Sequence, residues 1–193
     1  MRCRNGGCQS FVEEDRCAEV QHELFDRHDS HRTAQAVSVT DDQQEAFVMK
    51  IFTIGYNQKS AEEFFNLLKQ PDLERVIDVR LHNVSQLAGF TKMKDLQYFL
   101  REIDALDYLH MVELAPSETI FVAYRRRGGD WGTFERAFLS LMRERQIEKT
   151  VDRSIMDGAC LLCGEPGPEH CHRRLVAEYL RDEWGDVEIV HLQ

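Results

Sequence analysis

Apolar and polar positions along this chain follow two different periods, and the places where the period changes mark its elements. From residue 49 the run MKIFTIGYN begins, and its β-branched and aromatic content over 50–56 predicts a strand. SAEEFFNLLKQ (60–70) switches to helical spacing, with Phe64, Leu67 and Leu68 on one face. Ser60 and Glu63 stand at the spacing of a capping box, and Pro71 is placed to end that helix. RVIDVR (75–80) is short and nearly continuously apolar, the signature of a strand buried on both faces. Met93, Leu96, Leu100 and Ile103 form the apolar stripe of a helix over 93–106, and YLHMVEL (108–114) predicts a third strand.

The second half continues the alternation. SETIFVAYRRR (117–127) mixes the two signals and is read as a helix because Pro116 and Ser117 resemble a helix start. Asp130 is placed to cap a helix over 131–146, along which Phe134, Phe138, Leu141 and Met142 recur at helical spacing. ACLLC (159–163) predicts a fourth, buried strand. A helix over 171–184 is stopped by Gly185, and VEIVHL (187–192) predicts the last strand. Strands alternating with helices imply an α/β fold of three layers: a mostly parallel, Rossmann-like sheet with helices on both faces. Ligands of such sheets gather beyond the carboxyl ends of the strands. That layer holds Gly55, Tyr56 and Asn57, then Asp78 and Arg80, then Glu113, then Cys163, Gly164 and Glu165.

Residues 1–48 break the pattern. They carry many His, Asp, Gln and Ser residues without apolar periodicity, and are read as an extension or linker, with one α/β domain over 49–193. Cys3, Cys8, Cys17 and His22 within it match no common zinc-finger spacing. The first residues lack the apolar middle of a secretory signal, and no apolar run reaches the ~20 residues of a membrane helix, so a cytoplasmic protein with reduced thiols is expected. The net charge of −10 argues against general nucleic-acid binding; the run Arg125, Arg126 and Arg127 allows at most a confined contact.

Charge and composition leave the chemistry to one stretch, CLLCGEPGPEHCHRR (160–174), which holds three of the six cysteines and two of the eight histidines. Two chemical readings compete, beside a third in which the same pocket is a module that binds a nucleotide or nucleic acid without chemistry. In the first, Cys171 sits at a helix N-terminus, where free N–H groups and the macrodipole favour a thiolate. His172 then serves as acid or base, and Glu165 joins the catalytic set. Arg173 and Arg80, with Gly55, Tyr56, Asn57 and Asp78, hold a small anionic substrate such as a nucleotide or phosphoester. In the second, zinc or iron is bound by Cys163 and His170 with Cys171 and His172, Glu165 assisting. Cys160 and Cys163 have the C-x-x-C spacing, but on an extended strand they point to opposite faces, so Cys160 is assigned to the core. Asp78 and Arg80 read equally as a structural ion pair or a substrate contact, and His110 as a satisfied core histidine.

The ordered strings IFTIGYN, VIDVR, YLHMVELAPS and LLCGEPGPEHCHRRLVAEYL over residues 50–193 resemble the DUF488 family, a domain of unknown function. The resemblance implies a small α/β protein and marks Gly55, Asp78, Arg80, Cys163, Glu165, Cys171, His172 and Arg173. It names no activity. One departure is the segment HNVSQLAGF, which stands where many members have a basic residue soon after the second strand.

Overall fold

The computed structural model describes residues 48–84, 89–125 and 128–193. Cys3, Cys8, Cys17 and His22, and likewise Arg126 and Arg127, lie outside the described residues. Five strands, β1 (Met49–Gly55), β2 (Arg75–Asp78), β3 (Asp107–His110), β4 (Ala159–Cys163) and β5 (Val187–Leu192), form one sheet in the order β3-β2-β4-β1-β5. Every pairing is parallel. The helices are α1 (Ala61–Leu67), α2 (Met93–Asp104), α3 (Glu118–Arg125), α4 (Trp131–Glu144), α5 (Ile147–Thr150), α6 (Arg153–Met156) and α7 (His172–Trp184).

Strand alternation divides the core into two layers. On one face Phe52, Ile54, Val76, Cys160 and Leu162 pack with Phe64 and Phe65 of α1 and Leu96 and Leu100 of α2. On the other, Ile51, Ile77, Leu161 and Cys163 pack with Phe134, Phe138 and Met142 of α4 and Leu175, Val176 and Leu180 of α7. This is the three-layer, Rossmann-like α/β arrangement. The central strand β4 is buried at every position, which is why ACLLC carries no polar side chain.

The crossovers fix where a ligand can lie. From β1 the chain crosses over through α1 to β2, and from β4 it crosses through α7 to β5, with the two helices on opposite faces. Where crossovers diverge, the ends of the adjacent strands leave a crevice. Here that crevice opens above Gly55 and Cys163, which are partners in the ladder.

Local signals account for most boundaries. Ser60 and Glu63 form the expected reciprocal capping box, Asp130 accepts from the Thr133 N–H, and Gly185 caps α7. Four details differ from the sequence reading. The third strand ends at His110, and Val112–Leu114 is a single 3₁₀ turn, so Glu113 does not end a strand. His110 is exposed rather than in the core, its ring nitrogen 2.9 Å from the Arg80 carbonyl. Ile103 is 50% exposed, because Phe99 occupies the helix face beside Phe65 instead. The short helices α5 and α6 escaped notice because four residues are too few to display a period. No helix among the described residues is long and apolar enough to cross a membrane.

Candidate metal centre

The site begins with a glycine. Beyond β1 and β4 the parallel ladder continues, with the Tyr56 N–H donating to the Cys163 carbonyl and the Asn57 N–H to the Gly164 carbonyl, at 3.3 and 3.1 Å. This extension lays the main chain of Glu165 directly over Gly55. A β-carbon there would overlap the Glu165 carbonyl oxygen. Only glycine lets the two main chains approach so closely.

The turn Glu165–His170 then returns the chain to α7, with Cys171 as its N-cap residue. Strand end and helix start thereby converge. Sγ of Cys163, Sγ of Cys171, a carboxylate oxygen of Glu165 and a ring nitrogen of His172 all lie within 4.8 Å of one another. Both thiols donate to the same oxygen, Glu165 Oε2, from Cys163 at 2.9 Å and from Cys171 at 3.2 Å. His172 Nδ1 is 3.4 Å from Cys163 Sγ. Cys163, Cys171 and His172 are buried, and Glu165 is partly so.

The ring of His172 is held in one orientation. Its Nε2 lies 2.8 Å from the Val79 carbonyl oxygen, which can only accept, so Nε2 carries the proton. In the neutral ring Nδ1 then has a free lone pair; Cys163 Sγ, 3.4 Å from Nδ1 and 3.9 Å from Nε2, lies beside the ring rather than along that lone pair. A histidine whose remote N–H donates to a backbone carbonyl is oriented as metal-ligating histidines usually are.

Two arginines complete the shell. Arg125, from the end of α3, forms an ion pair with Glu165 Oε1 and leaves Oε2 to the thiols. Burial works to raise the pKa of Glu165, but the Cys163 thiol, the Arg125 charge and the Cys171 thiol outweigh it and hold the carboxyl below its usual range. Arg173 is 1% exposed and donates through Nη1 to the Glu165 carbonyl at 2.6 Å and to Cys171 Sγ at 3.1 Å. Its Nη2 reaches the Pro166 carbonyl, and its Nε has no partner among the described residues. Arg173 thus makes no carboxylate ion pair there, and the one atom it touches that can become an anion is the sulfur of Cys171.

The expected residues divide into three groups. Cys163, Glu165, Cys171 and His172 come together. Asp78 and Arg80 form a bidentate pair at 2.6 and 2.7 Å, both buried, joined by the Tyr108 hydroxyl donating to Asp78 at 2.7 Å. Burial works against the Arg80 charge, but its hydrogen bond and attraction to Asp78 prevail and raise its pKa. Burial and the Asp78 charge push the Tyr108 phenol upward. The Arg80 guanidinium also lies over the Tyr56 ring, 5.2 Å from its centroid. Arg80 and Arg173, the two guanidinium groups expected to clamp an anion, are therefore both engaged within the protein.

His170 and Asn57 stand apart. His170 is exposed and packs on Trp131, at 5.3 Å between ring centroids, because the turn carries it past the cluster; Glu165 takes the fourth position instead. Asn57 is exposed and contributes only its backbone N–H. The thiolate expected at Cys171 meets an opposing effect: burial and the neighbouring Cys163 push this thiol up, away from easy ionisation. Cys160 lies in the opposite layer and its thiol is pushed up by burial, in keeping with a core residue.

A pocket of about 120 Å³ opens over the cluster, with Cys163, Glu165 and His172 at its floor. Tyr56, Phe121, Tyr124, Trp131 and Phe134 supply its walls. Sequence reasoning missed Tyr124, Trp131 and Phe121. Trp131 alone carried a signal: a large aromatic just after GGD, at the first position of a capped helix, is exposed to whatever lies before that helix.

Fold and site together define a doubly wound α/β protein with a buried Cys/Cys/Glu/His cluster at its crevice. The family model described as "Domain of unknown function DUF488" matches residues 60–180, and the chain belongs to that family. No curated protein and no solved structure matches the chain.

Proposed function

We propose that this protein binds one zinc or iron ion through Cys163, Glu165, Cys171 and His172, beneath an aromatic pocket. The observation that carries the reading is the mutual spacing of the four donor atoms. A tetrahedral ion with bonds of ~2.3 Å to sulfur and ~2.0–2.1 Å to nitrogen or oxygen needs donor separations of roughly 3.3–3.8 Å. Three of the six separations are 2.9, 3.2 and 3.4 Å and all six lie within 4.8 Å, so small side-chain rotations would bring the donors to that range.

Chemistry supports the same reading. The donor set of two sulfurs, one imidazole and one carboxylate suits a borderline-soft transition metal rather than magnesium or calcium. The metal-bound state also resolves the position of Arg173. A buried guanidinium without an anion is costly, and a metal-bound Cys171 thiolate 3.1 Å from Nη1 would supply one.

One contact favours a second reading, thiol catalysis. Cys163 lines the pocket beside His172 Nδ1, so it, rather than the more deeply placed Cys171, would be the nucleophile. Elemental analysis separates the two. Full-length protein made without an affinity tag and purified without chelators is expected to carry about one zinc or iron per chain. A content below about 0.2 per chain, not restored by adding either metal under reducing conditions, overturns the metal reading.

A further inference from the structure

The pocket above the cluster has a composition of its own. Five of its fifteen lining residues carry phenyl, phenol or indole rings, against 9% in the chain as a whole. Three of these rings, Tyr124, Trp131 and Phe134, form a continuous wall. Trp131 stacks on Phe134 at 5.2 Å, and Tyr124 lies 4.8 Å from Phe134 and 5.8 Å from Trp131. The arginines along the pocket are already matched: Arg80 with Asp78 and Arg125 with Glu165. The volume, about 120 Å³, is near the ~150 Å³ of an engineered apolar cavity that takes up one benzene ring.

We propose that this pocket binds a small molecule built on one aromatic ring that carries a single anionic donor, a carboxylate or phenolate, directed at the metal. The inference rests on the metal reading above. The ring is assigned by the walls, since offset and edge-on contacts with Tyr124 and Trp131 reward an aromatic guest over an aliphatic one of equal size. The donor is assigned by the charge balance. With the metal bound, two thiolates and the Glu165 carboxylate supply three negative charges, while the divalent ion, Arg125 and Arg173 supply four positive ones. The metal with its three anionic ligands carries one negative charge, so the excess positive charge lies on the two guanidinium groups, of which Arg125 also lines the pocket.

Access fits this direction of approach. Cys163, Glu165 and His172 line the pocket and Cys171 does not, so the pocket meets the cluster on the side away from Cys171. A further oxygen donor would be the fifth ligand, a coordination number that catalytic zinc sites reach.

The test uses the full chain with Trp184→Phe, which leaves Trp131 as the sole tryptophan, loaded with Co²⁺ as a visible substitute for zinc or iron. Benzoate is titrated while Trp131 fluorescence reports ring entry and the cobalt d–d bands report a new donor. The expected result is a saturable change in both signals at one midpoint. Acetate, which has the donor without the ring, should need at least about 10-fold higher concentration, and so should benzoate with metal-free protein. Trp131→Leu in the Trp184→Phe background should keep the cobalt bands and lose the benzoate response in them. A cobalt-loaded protein whose bands ignore benzoate overturns the proposal, as does acetate acting equally well, or quenching with unshifted bands. Failure to take up Co²⁺ at all, seen as missing thiolate-to-metal charge-transfer bands, overturns the metal reading itself and is distinguished in that way.

Discussion

Replacing Gly55 with alanine tests the point at which the fold makes the site. The new β-carbon would stand 2.8 Å from the Glu165 carbonyl carbon and 2.9 Å from Arg173 Nη1, besides overlapping the Glu165 oxygen. Ordinary contacts between non-bonded heavy atoms lie at ~3.2–4.0 Å, so the overlapped Glu165 carbonyl must retreat by about 1.5 Å. It cannot do so freely. The Asn57 N–H bond to Gly164, at 3.1 Å, and the Arg173 bond to the Glu165 carbonyl, at 2.6 Å, hold it to β1 and to α7. Overpacking of this kind costs about 1–3 kcal/mol, which for a domain of this size lowers Tm by roughly 2–10 °C. The carboxylate moves with its backbone, so metal affinity should fall about 10–100-fold, the usual effect of disturbing the support of a metal ligand. Thermal denaturation of metal-free protein measures the first effect, and competition with a chromophoric chelator measures the second. Unaltered Tm and unaltered affinity in Gly55→Ala would refute the close approach of Glu165 to β1.

Three further outcomes follow from the same geometry. Cys163→Ser should lose at least about 10-fold in metal affinity, whereas Cys160→Ala, altered in the opposite layer, should keep its metal and lose only ~1 kcal/mol of stability; equal metal loss in both would contradict the division of the two cysteines between faces. In metal-free protein Cys171 should react with iodoacetamide at pH 7 about 10-fold or more slowly than free cysteine, because burial and Cys163 push its thiol up; faster labelling would restore the activated-thiolate reading. A third outcome concerns acid stability. The Tyr179 hydroxyl donates to Glu148 Oε2 at 2.6 Å and, as the largest cause, lowers the carboxyl below its ordinary 4.5. A depressed folded pKa gives stability that is present above the unfolded value and lost as pH falls through the folded one. The Tm gap between the parent and Tyr179→Phe should therefore be steady above about pH 5 and narrow below about pH 4. A gap that widened on acidification would have the wrong sign.

Much of the fold was legible because its signals are local. The Ser60–Glu63 capping box, the Asp130 cap, the Gly185 stop and the apolar run ACLLC each depend on a few neighbouring residues, and each sits where its pattern required. The opposite facing of Cys160 and Cys163 followed from the two-residue period of a strand alone. The site was legible in its members and not in their company. Cys163, Cys171 and His172 stood out within one stretch, but choosing Glu165 over His170 required the course of a six-residue turn that no period encodes. Partners distant in sequence were beyond reach for the same reason. Arg125 meets Glu165 across forty residues, and the rings of Tyr124 and Trp131 close the pocket from helices read only as core. The helix-start argument for a Cys171 thiolate counted the dipole and left out burial, which works against ionisation.

X-ray absorption at the metal edge tests the central claim most directly. Protein loaded with zinc or iron should give two sulfur neighbours at ~2.3 Å and two nitrogen or oxygen neighbours at ~2.0–2.1 Å, with the outer-shell scattering of one imidazole. Cys163→Ser and Cys171→Ser should each remove one sulfur. A shell of nitrogen and oxygen alone, or two sulfurs that survive both substitutions, would contradict the centre described above.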